Sequence, residues 1–441
     1  MQPLTDAARA IYAQALANCS VEPALTRSVR MHQGVLEAGE TRLPIGDLLR
    51  IRIVACGKAA GNMTRAMLGR LAGTAARDMA GVVIAPQPPA DLPQEFAVFA
   101  GGHPLPDAAS FAGAQAALAL ARDAATARDP ARTLCLFLVS GGASSMMELP
   151  LDPVVTVEET AAFHRALVTC GAPIAAINCV RKHFSAVKGG RLARAAGAAL
   201  MHTLLVSDVP RGHLDAVGSG PTVPDVSTVE DCRQILDRYR LLPRFPESVR
   251  HFFESVDLPE TPKPGELHGS TTLLLDSANV ANAAAAHARA LGFHAVVDHG
   301  AEEQEYRAAA EALVDRLERL RREHGRVCLV SAGEVRVALP PENIGTGGRN
   351  QHFALYAATL LQKTKLDWAV LSAGTDGVDG NSPAAGAVVD RSILRDRRSR
   401  AEAAAALEQF DSYSFLASHG CTVGSGPTGN NLRDLRLLFA V

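Results

Sequence analysis

Short apolar runs rich in β-branched residues alternate with long helical patterns along almost the whole of this chain. The strand-like runs are Ile51–Cys56, Gly81–Ala85, Phe96–Ala100, Leu134–Val139, Thr203–Ser207, Thr271–Leu275, Ala295–Val297, Val327–Val330 and Trp368–Leu371. Between them lie helical stretches such as Ala108–Arg128, Val157–Thr169, Ala278–Leu291, Glu302–Arg322 and Gln351–Gln362. This alternation predicts an α/β protein with parallel sheets covered by helices on both faces. Ligands in such folds bind beyond the carboxyl ends of the strands. The loops that follow strands should therefore carry the chemistry.

At 441 residues the chain is long for one core, so two or three domains are expected. The stretch Leu258–Leu267 holds three prolines and a glycine, which resist both helix and central strand. A break there gives domains at 1–262 and 268–441. Charge is nearly balanced, with 44 basic and 46 acidic residues, which argues against a nucleic-acid binder. The stretch 1–30 reads as a polar-flanked helix without an apolar signal region. The most apolar run, Leu134–Val139, is too short to span a bilayer, so no membrane role is expected. Eight scattered cysteines without Cys-x-x-Cys spacing read as small buried hydrophobes in a reducing, cytoplasmic setting.

The hexapeptide Val-Gly-Ser-Gly-Pro-Thr occurs twice, at Val217–Thr222 and Val423–Thr428. Glycines let backbone N–H groups converge on an anion, and Ser219 and Ser425 add hydroxyls. A turn sequence used twice by coincidence is the plainer alternative. Of the 44 basic residues only six are lysine, and Lys58 and Lys188 both stand beside glycines. Arginine-biased codon usage explains the scarcity, and a lysine kept in that setting offers a compact, strongly hydrated charge.

Lys58 follows the strand Ile51–Cys56 within Gly57-Lys58-Ala59-Ala60-Gly61, near a helix start that favours an anion. The string is neither a Walker A loop nor the Gly-x-Gly-x-x-Gly dinucleotide fingerprint. After Leu134–Val139 comes Ser140-Gly141-Gly142-Ala143-Ser144-Ser145, a turn suited to phosphate oxygens through Gly141, Gly142, Ser144 and Ser145. The segment Asn178–Arg194 is dense in cations. On a continuous helix Arg181, Ser185 and Lys188 share a face, with Gly189 and Gly190 ending it. A solvated basic face and an anion site at Lys188 are the two readings. Asp208 follows Thr203–Ser207 at a position suited to a Mg²⁺ ligand or a turn cap; the loop then reaches Ser219 and Gly220.

In the second half, Gly345-Thr346-Gly347-Gly348-Arg349 opens a helix. Gly347 and Gly348 there suit phosphate, and Arg349 can reach a carboxylate or phosphate with a planar fork. Asp376 and Asp379 follow Trp368–Leu371 among glycines. Either can bind Mg²⁺ or accept a hydroxyl proton, and Asx-turn stabilisation accounts for one of the two.

Taken together, Gly57-Lys58-Ala59-Ala60, Gly102-His103-Pro104-Leu105-Pro106-Asp107, Ser140–Ser144 and Val180–Arg191 resemble the N-terminal domain of the glycerate 2-kinase family. Gly345–Gln351, Ala373–Gly377 and Gly426–Asn431 resemble its C-terminal MOFRL domain. The segment Arg211-Gly212-His213 departs from the Gly-Asp/Asn-type sequence usual in that family after Asp-Val-Pro. The resemblance implies a Rossmann-like parallel-sheet domain, a second α/β domain, and an active site in the cleft. It implies phosphorylation of D-glycerate to 2-phospho-D-glycerate with ATP and Mg²⁺, with Lys58 and Arg349 in catalytic roles; on that reading Asp208 and Asp376, taken from their loops, are the Mg²⁺ or proton-acceptor candidates. A homodimer is left open. The rival readings are an NAD(P)H-dependent hydroxypyruvate reductase, whose glycine fingerprint is missing, and a non-catalytic sensor of a phosphorylated metabolite.

Overall fold

The structure is a computed structural model, and it describes residues 3–72, 78–255, 257–340, 345–424 and 426–441. The chain forms two compact units, Ala24–Leu274 and Met1–Pro23 with Leu275–Val441. The grouping is not linear. Helix Leu4–Asn18 belongs with the C-terminal residues: the Tyr12 hydroxyl donates to the Gly374 carbonyl at 2.7 Å, and Asn18 bonds His287 at 2.9 Å. The proline-rich stretch is packed within the first unit. The Arg191 guanidinium donates to the Pro259 carbonyl at 2.8 Å, and the Asp225 N–H to the Pro262 carbonyl at 2.8 Å.

The unit Ala24–Leu274 is built on a six-stranded sheet. Its order is Phe96–Ala100, Asp78–Ala85, Arg50–Cys56, Thr133–Ser140, Leu200–Val206, Ser270–Leu275. The first five strands pair in parallel. Every residue of Thr133–Ser140 is buried, as expected of a central parallel strand covered on both faces. Helix Ala108–Ala125 packs on it through Ala114, Ala117, Leu118 and Ala121. Its N-terminus is fixed by a capping box between Asp107 and Ser110. A three-stranded antiparallel meander, Val29–His32, Val35–Ala38 and Thr41–Pro44, precedes the sheet. Its short strands were not expected from the sequence.

The other unit carries a mixed sheet, which corrects the expectation of parallel sheets throughout. Its order is His294–Asp298, Val327–Ala332, Asp434–Ala440, Trp368–Gly374, Gly386–Asp390, Thr422–Val423. The first two strands are parallel, and every other pairing is antiparallel. The cause is Asp434–Ala440, which enters the middle of the sheet and runs against both neighbours. Asp434 and Arg436 mask its strand signal, yet all seven of its residues are buried.

Candidate active site

In the first unit the strand order reverses between Arg50–Cys56 and Thr133–Ser140. Such a reversal leaves a crevice beyond the carboxyl ends of the two strands, because their following connections depart to opposite sides. The loops that leave these strands carry Lys58 and Ser140–Ser145. The Lys58 N–H donates to the Gly141 carbonyl at 2.9 Å, and the Ala59 N–H to the Ser140 hydroxyl at 3.0 Å. Lys58 is half-buried, just ahead of helix Ala60–Leu71. A third loop, from the adjacent strand Leu200–Val206, brings Asp208. A Cβ on Gly141 would lie 2.0 Å from an Asp208 carboxylate oxygen, so only glycine admits that carboxylate there. Three neighbouring strands thus deliver an ammonium, a glycine turn and a carboxylate to one end of the sheet.

The first hexapeptide copy joins this end. The Ser219 hydroxyl bonds the Ser144 hydroxyl and donates to Asn178 Oδ1 at 3.1 Å. The Ser219 and Gly220 carbonyls accept from Gly189 N–H at 3.1 Å and Gly190 N–H at 2.7 Å. Gly142 caps the short turn Ala143–Met146, and Ser145 is buried beside it. Lys182 holds the same loop from below, at 2.9 Å from Asp215 and 3.1 Å from Asp225.

The continuous basic helix does not form. Helix Ile174–Phe184 stops because Ser185 is extended and bridges Pro150. Arg181 and Lys188 therefore do not share a helical face, and neither is solvated. Lys188, grouped from the sequence with the phosphate-binding residues, is fully buried, and its ammonium pairs with Glu148. His164 Nε2 lies 2.7 Å from the same Glu148 oxygen. A carboxylate only accepts, so Nε2 carries the proton of the neutral ring. Burial alone would raise the Glu148 carboxyl, but Lys188 and His164 outweigh it and hold it at about 2. Burial pushes the His164 imidazole down to about 4 against the pull of Glu148.

In the second unit Arg349 opens helix Arg349–Leu361. Its guanidinium grips Asp434 with two bonds, at 2.6 Å and 3.1 Å, and lies 2.7 Å from Glu334. Burial opposes its charge, yet Asp434 and Glu334 hold its pKa above the ordinary arginine value. The Gly345–Gly348 loop is tied to its surroundings by Thr346 N–H to Asp411 at 2.9 Å and Gly347 N–H to Asn381 at 2.8 Å. Asp379 accepts from the Asn350 and Gln351 N–H groups at 3.0 Å and 2.9 Å, which makes it a cap for this helix. Burial raises its carboxyl to about 6 in spite of those donors. Asp376 is half-buried, and its carboxylate accepts from Val378 N–H at 3.2 Å in an Asx turn. Of the second hexapeptide copy, Ser425 lies outside the described residues; Thr428 bonds the carbonyls of Thr375 at 2.7 Å and Asn430 at 2.9 Å.

Two carboxylates escaped the sequence reading. Asp434 is 85 positions from Arg349, and nothing local announces the pairing. Glu148 carried a readable signal, as a lone carboxylate in the apolar run Met146-Met147-Glu148-Leu149. Among the described residues no three His, Cys, Asp or Glu side chains cluster as a metal cage.

Two family matches cover most of the chain. The family described as "Domain of unknown function (DUF4147)" matches residues 7–254, and the MOFRL family matches residues 327–434. The D-glycerate 2-kinase of Thermotoga maritima is 36% identical, over 89% of this chain and 91% of its own length. The glycerate 2-kinase of Pyrococcus horikoshii is 32% identical, over 88% and 86%. A relative from Agrobacterium vitis that carries a hydroxypyruvate reductase name is 34% identical over 88% and 87%. The crystal structure of a glycerate kinase from Thermotoga maritima superposes with a TM-score of 0.83 at 32% identity, covering 99% of each chain. With both halves matched in order and relatives aligned across nearly their full length, this chain belongs to the glycerate 2-kinase family, with a DUF4147 part followed by a MOFRL part.

Proposed function

We propose that the protein is a glycerate 2-kinase, which transfers the γ-phosphoryl group of ATP to the 2-hydroxyl of D-glycerate. The observation that carries this reading is the meeting of the Lys58, Gly141 and Asp208 loops at the strand-order reversal. Relatives named for the same activity support it. Phosphoryl transfer asks little covalent chemistry of a protein; it asks for positioning and for neutralisation of spreading negative charge. Lys58 supplies a flexible point charge for the transferring group. Arg349, held by Asp434 and Glu334 in the other unit, keeps the catalytic assignment that the family resemblance gives it. The turn Gly141–Ser145 and the loop at Ser219–Gly220 are assigned to phosphate oxygens within the first unit; the Gly347–Gly348 loop of the other unit keeps its phosphate assignment from the sequence, with the Gly347 N–H already held by Asn381. Ser425 keeps the same assignment from the sequence.

Mg²⁺ in kinases is held by one or two carboxylates together with substrate phosphates, so no all-protein cage is needed. Asp208 fits that demand, because its carboxylate lies against the glycine turn proposed for phosphate. Asp376 is the second candidate. The ion supplies charge neutralisation when bound. The hydroxypyruvate reductase name in the family is a naming variant, and no dinucleotide fingerprint follows Arg50–Cys56.

The test incubates the protein with D-glycerate and Mg-ATP and identifies the product by ³¹P NMR. Formation of ADP with 2-phospho-D-glycerate is expected. Hydroxypyruvate-dependent oxidation of NAD(P)H without ADP formation would overturn the proposal.

A further inference from the structure

The MOFRL-bearing unit holds a cavity of about 480 Å³ whose apolar wall and buried polar side chains have no role above. Val335, Val337, Leu339 and Phe410 form its apolar wall, and Arg349 with the Gly347–Gly348 backbone lies at its polar side. Two further lining residues stand out. His352 is 2% exposed and Ser412 1% exposed. His352 Nε2 and the Ser412 hydroxyl have no hydrogen-bond partner among the described residues. Buried polar atoms are nearly always satisfied, so two orphans lining one cavity point to a ligand that completes them. Burial holds the His352 imidazole neutral, down to about 4. The Phe410 ring lies parallel to it at 5.0 Å, on a backbone held at φ 52°, a conformation that costs energy in a bulky residue and recurs at ligand clamps.

An apolar wall, a stacking ring, two buried hydrogen-bonding atoms and an adjacent guanidinium call for a flat heterocycle that carries an anion. D-Glycerate does not answer this description, since each of its carbons bears oxygen and it has no apolar face. We infer that this cavity takes the purine base of the nucleotide, stacked against Phe410 with its polar edge toward His352 and Ser412, and the phosphate chain leaving past Arg349 and the Gly345–Gly348 loop. The inference rests on the kinase reading and adds to it which unit recognises the base.

The test compares Val337→Trp, which fills the cavity from its partly exposed wall, with the unaltered protein. Binding of ADP and of inorganic pyrophosphate is measured by calorimetry, and the KM values for ATP and D-glycerate by coupled assay. Loss of base stacking predicts ADP binding weakened about tenfold or more, with pyrophosphate binding within about twofold. The KM for ATP should rise and that for D-glycerate should stay. Ser412→Ala, a smaller change, should alter the preference for ATP over ITP. Unchanged ADP binding in Val337→Trp, or a rise confined to the KM for D-glycerate, would overturn the inference while leaving the kinase reading intact. If the unaltered protein forms no ADP with D-glycerate yet binds ADP more tightly than pyrophosphate, and Val337→Trp removes that preference, the kinase reading fails and the base site stands.

Discussion

The same six residues serve two different structures in this molecule. In Val217–Thr222 the chain is buried, Gly218, Ser219 and Gly220 all take left-handed φ values, and the carbonyls of Ser219 and Gly220 are held by Gly189 and Gly190. In Val423–Thr428 the copy begins as a short edge strand, its described residues after Val423 are exposed, and Gly426 has left-handed φ where Gly424 does not. Identical sequence therefore gives only an inclination to turn. What sets the first copy apart is its burial and the Gly189 and Gly190 N–H groups that hold its carbonyls, directly after Lys188 of the buried Glu148–Lys188–His164 cluster. A repeated motif is informative about function only together with whatever supports it.

The sharpest way to break this contrast is to remove the support. Lys188→Met leaves the Glu148 carboxylate buried without its cation, and loss of one partner of a buried pair costs about 3–5 kcal/mol. Denaturant unfolding should show that loss, with activity falling as the first copy loosens. Stability unchanged within experimental error would mean that Lys188 is no strut. The cluster also has a pH signature. Both Glu148 and His164 have folded-state pKa values below their ordinary ones, at about 2 and about 4. Each stabilises the fold above its unfolded pKa and loses that contribution as pH falls toward its folded value. Stability should decline from about pH 6.5 downward, first through His164 and then through Glu148. A flat thermal midpoint from pH 7 to 4.5 would remove the buried neutral histidine from the account.

Lys58→Ala tests the cradle's chemistry instead of its support. Turnover should drop about 10²–10³-fold, the loss typical of one charge-stabilising group, while denaturant stability changes little. A substantial fall in stability with near-normal turnover would reverse the roles assigned to Lys58 and Lys188. The contrast between the copies themselves is read with two alanines. A left-handed backbone costs an alanine about 1–2 kcal/mol at either site. At Gly220 the new Cβ would also meet the Asp215 carbonyl at 2.7 Å, whereas Gly426 has open space around it. Gly220→Ala should therefore destabilise by more than Gly426→Ala, and equal losses would count against a rigid first copy. The smallest change is Ser219→Ala, which removes a hydroxyl shared with Ser144 and Asn178, worth about 1 kcal/mol of stability. Its KM for ATP should rise more than its stability falls.

Much of this molecule was legible without coordinates. The nine strand runs read from the sequence all fall on strands, because β-branched apolar runs bounded by turn residues are a local signal. Lys58 was found because a cation beside a glycine at a helix start is a local oddity. The strands that were missed are short, as in Val29–His32, Val35–Ala38 and Thr41–Pro44, or interrupted by charge, as in Asp434–Ala440. The basic segment was misread for a related reason. Periodicity predicts a helix through Lys188, but the chain leaves the helix at Ser185 to pair with Pro150, a partner 35 positions away that no window includes.

By itself, then, the sequence determined where most strands and helices would form, which loops would carry glycine and charge, and the family to which the chain belongs. Those properties depend on neighbours along the chain. Only the tertiary structure decided which carboxylates each of these cations meets: Lys188 meets Glu148, Lys182 meets Asp215 and Asp225, and Arg349 meets Asp434 and Glu334. A buried cation must find a carboxylate wherever the fold brings one, and strand order, not sequence distance, sets which one that is.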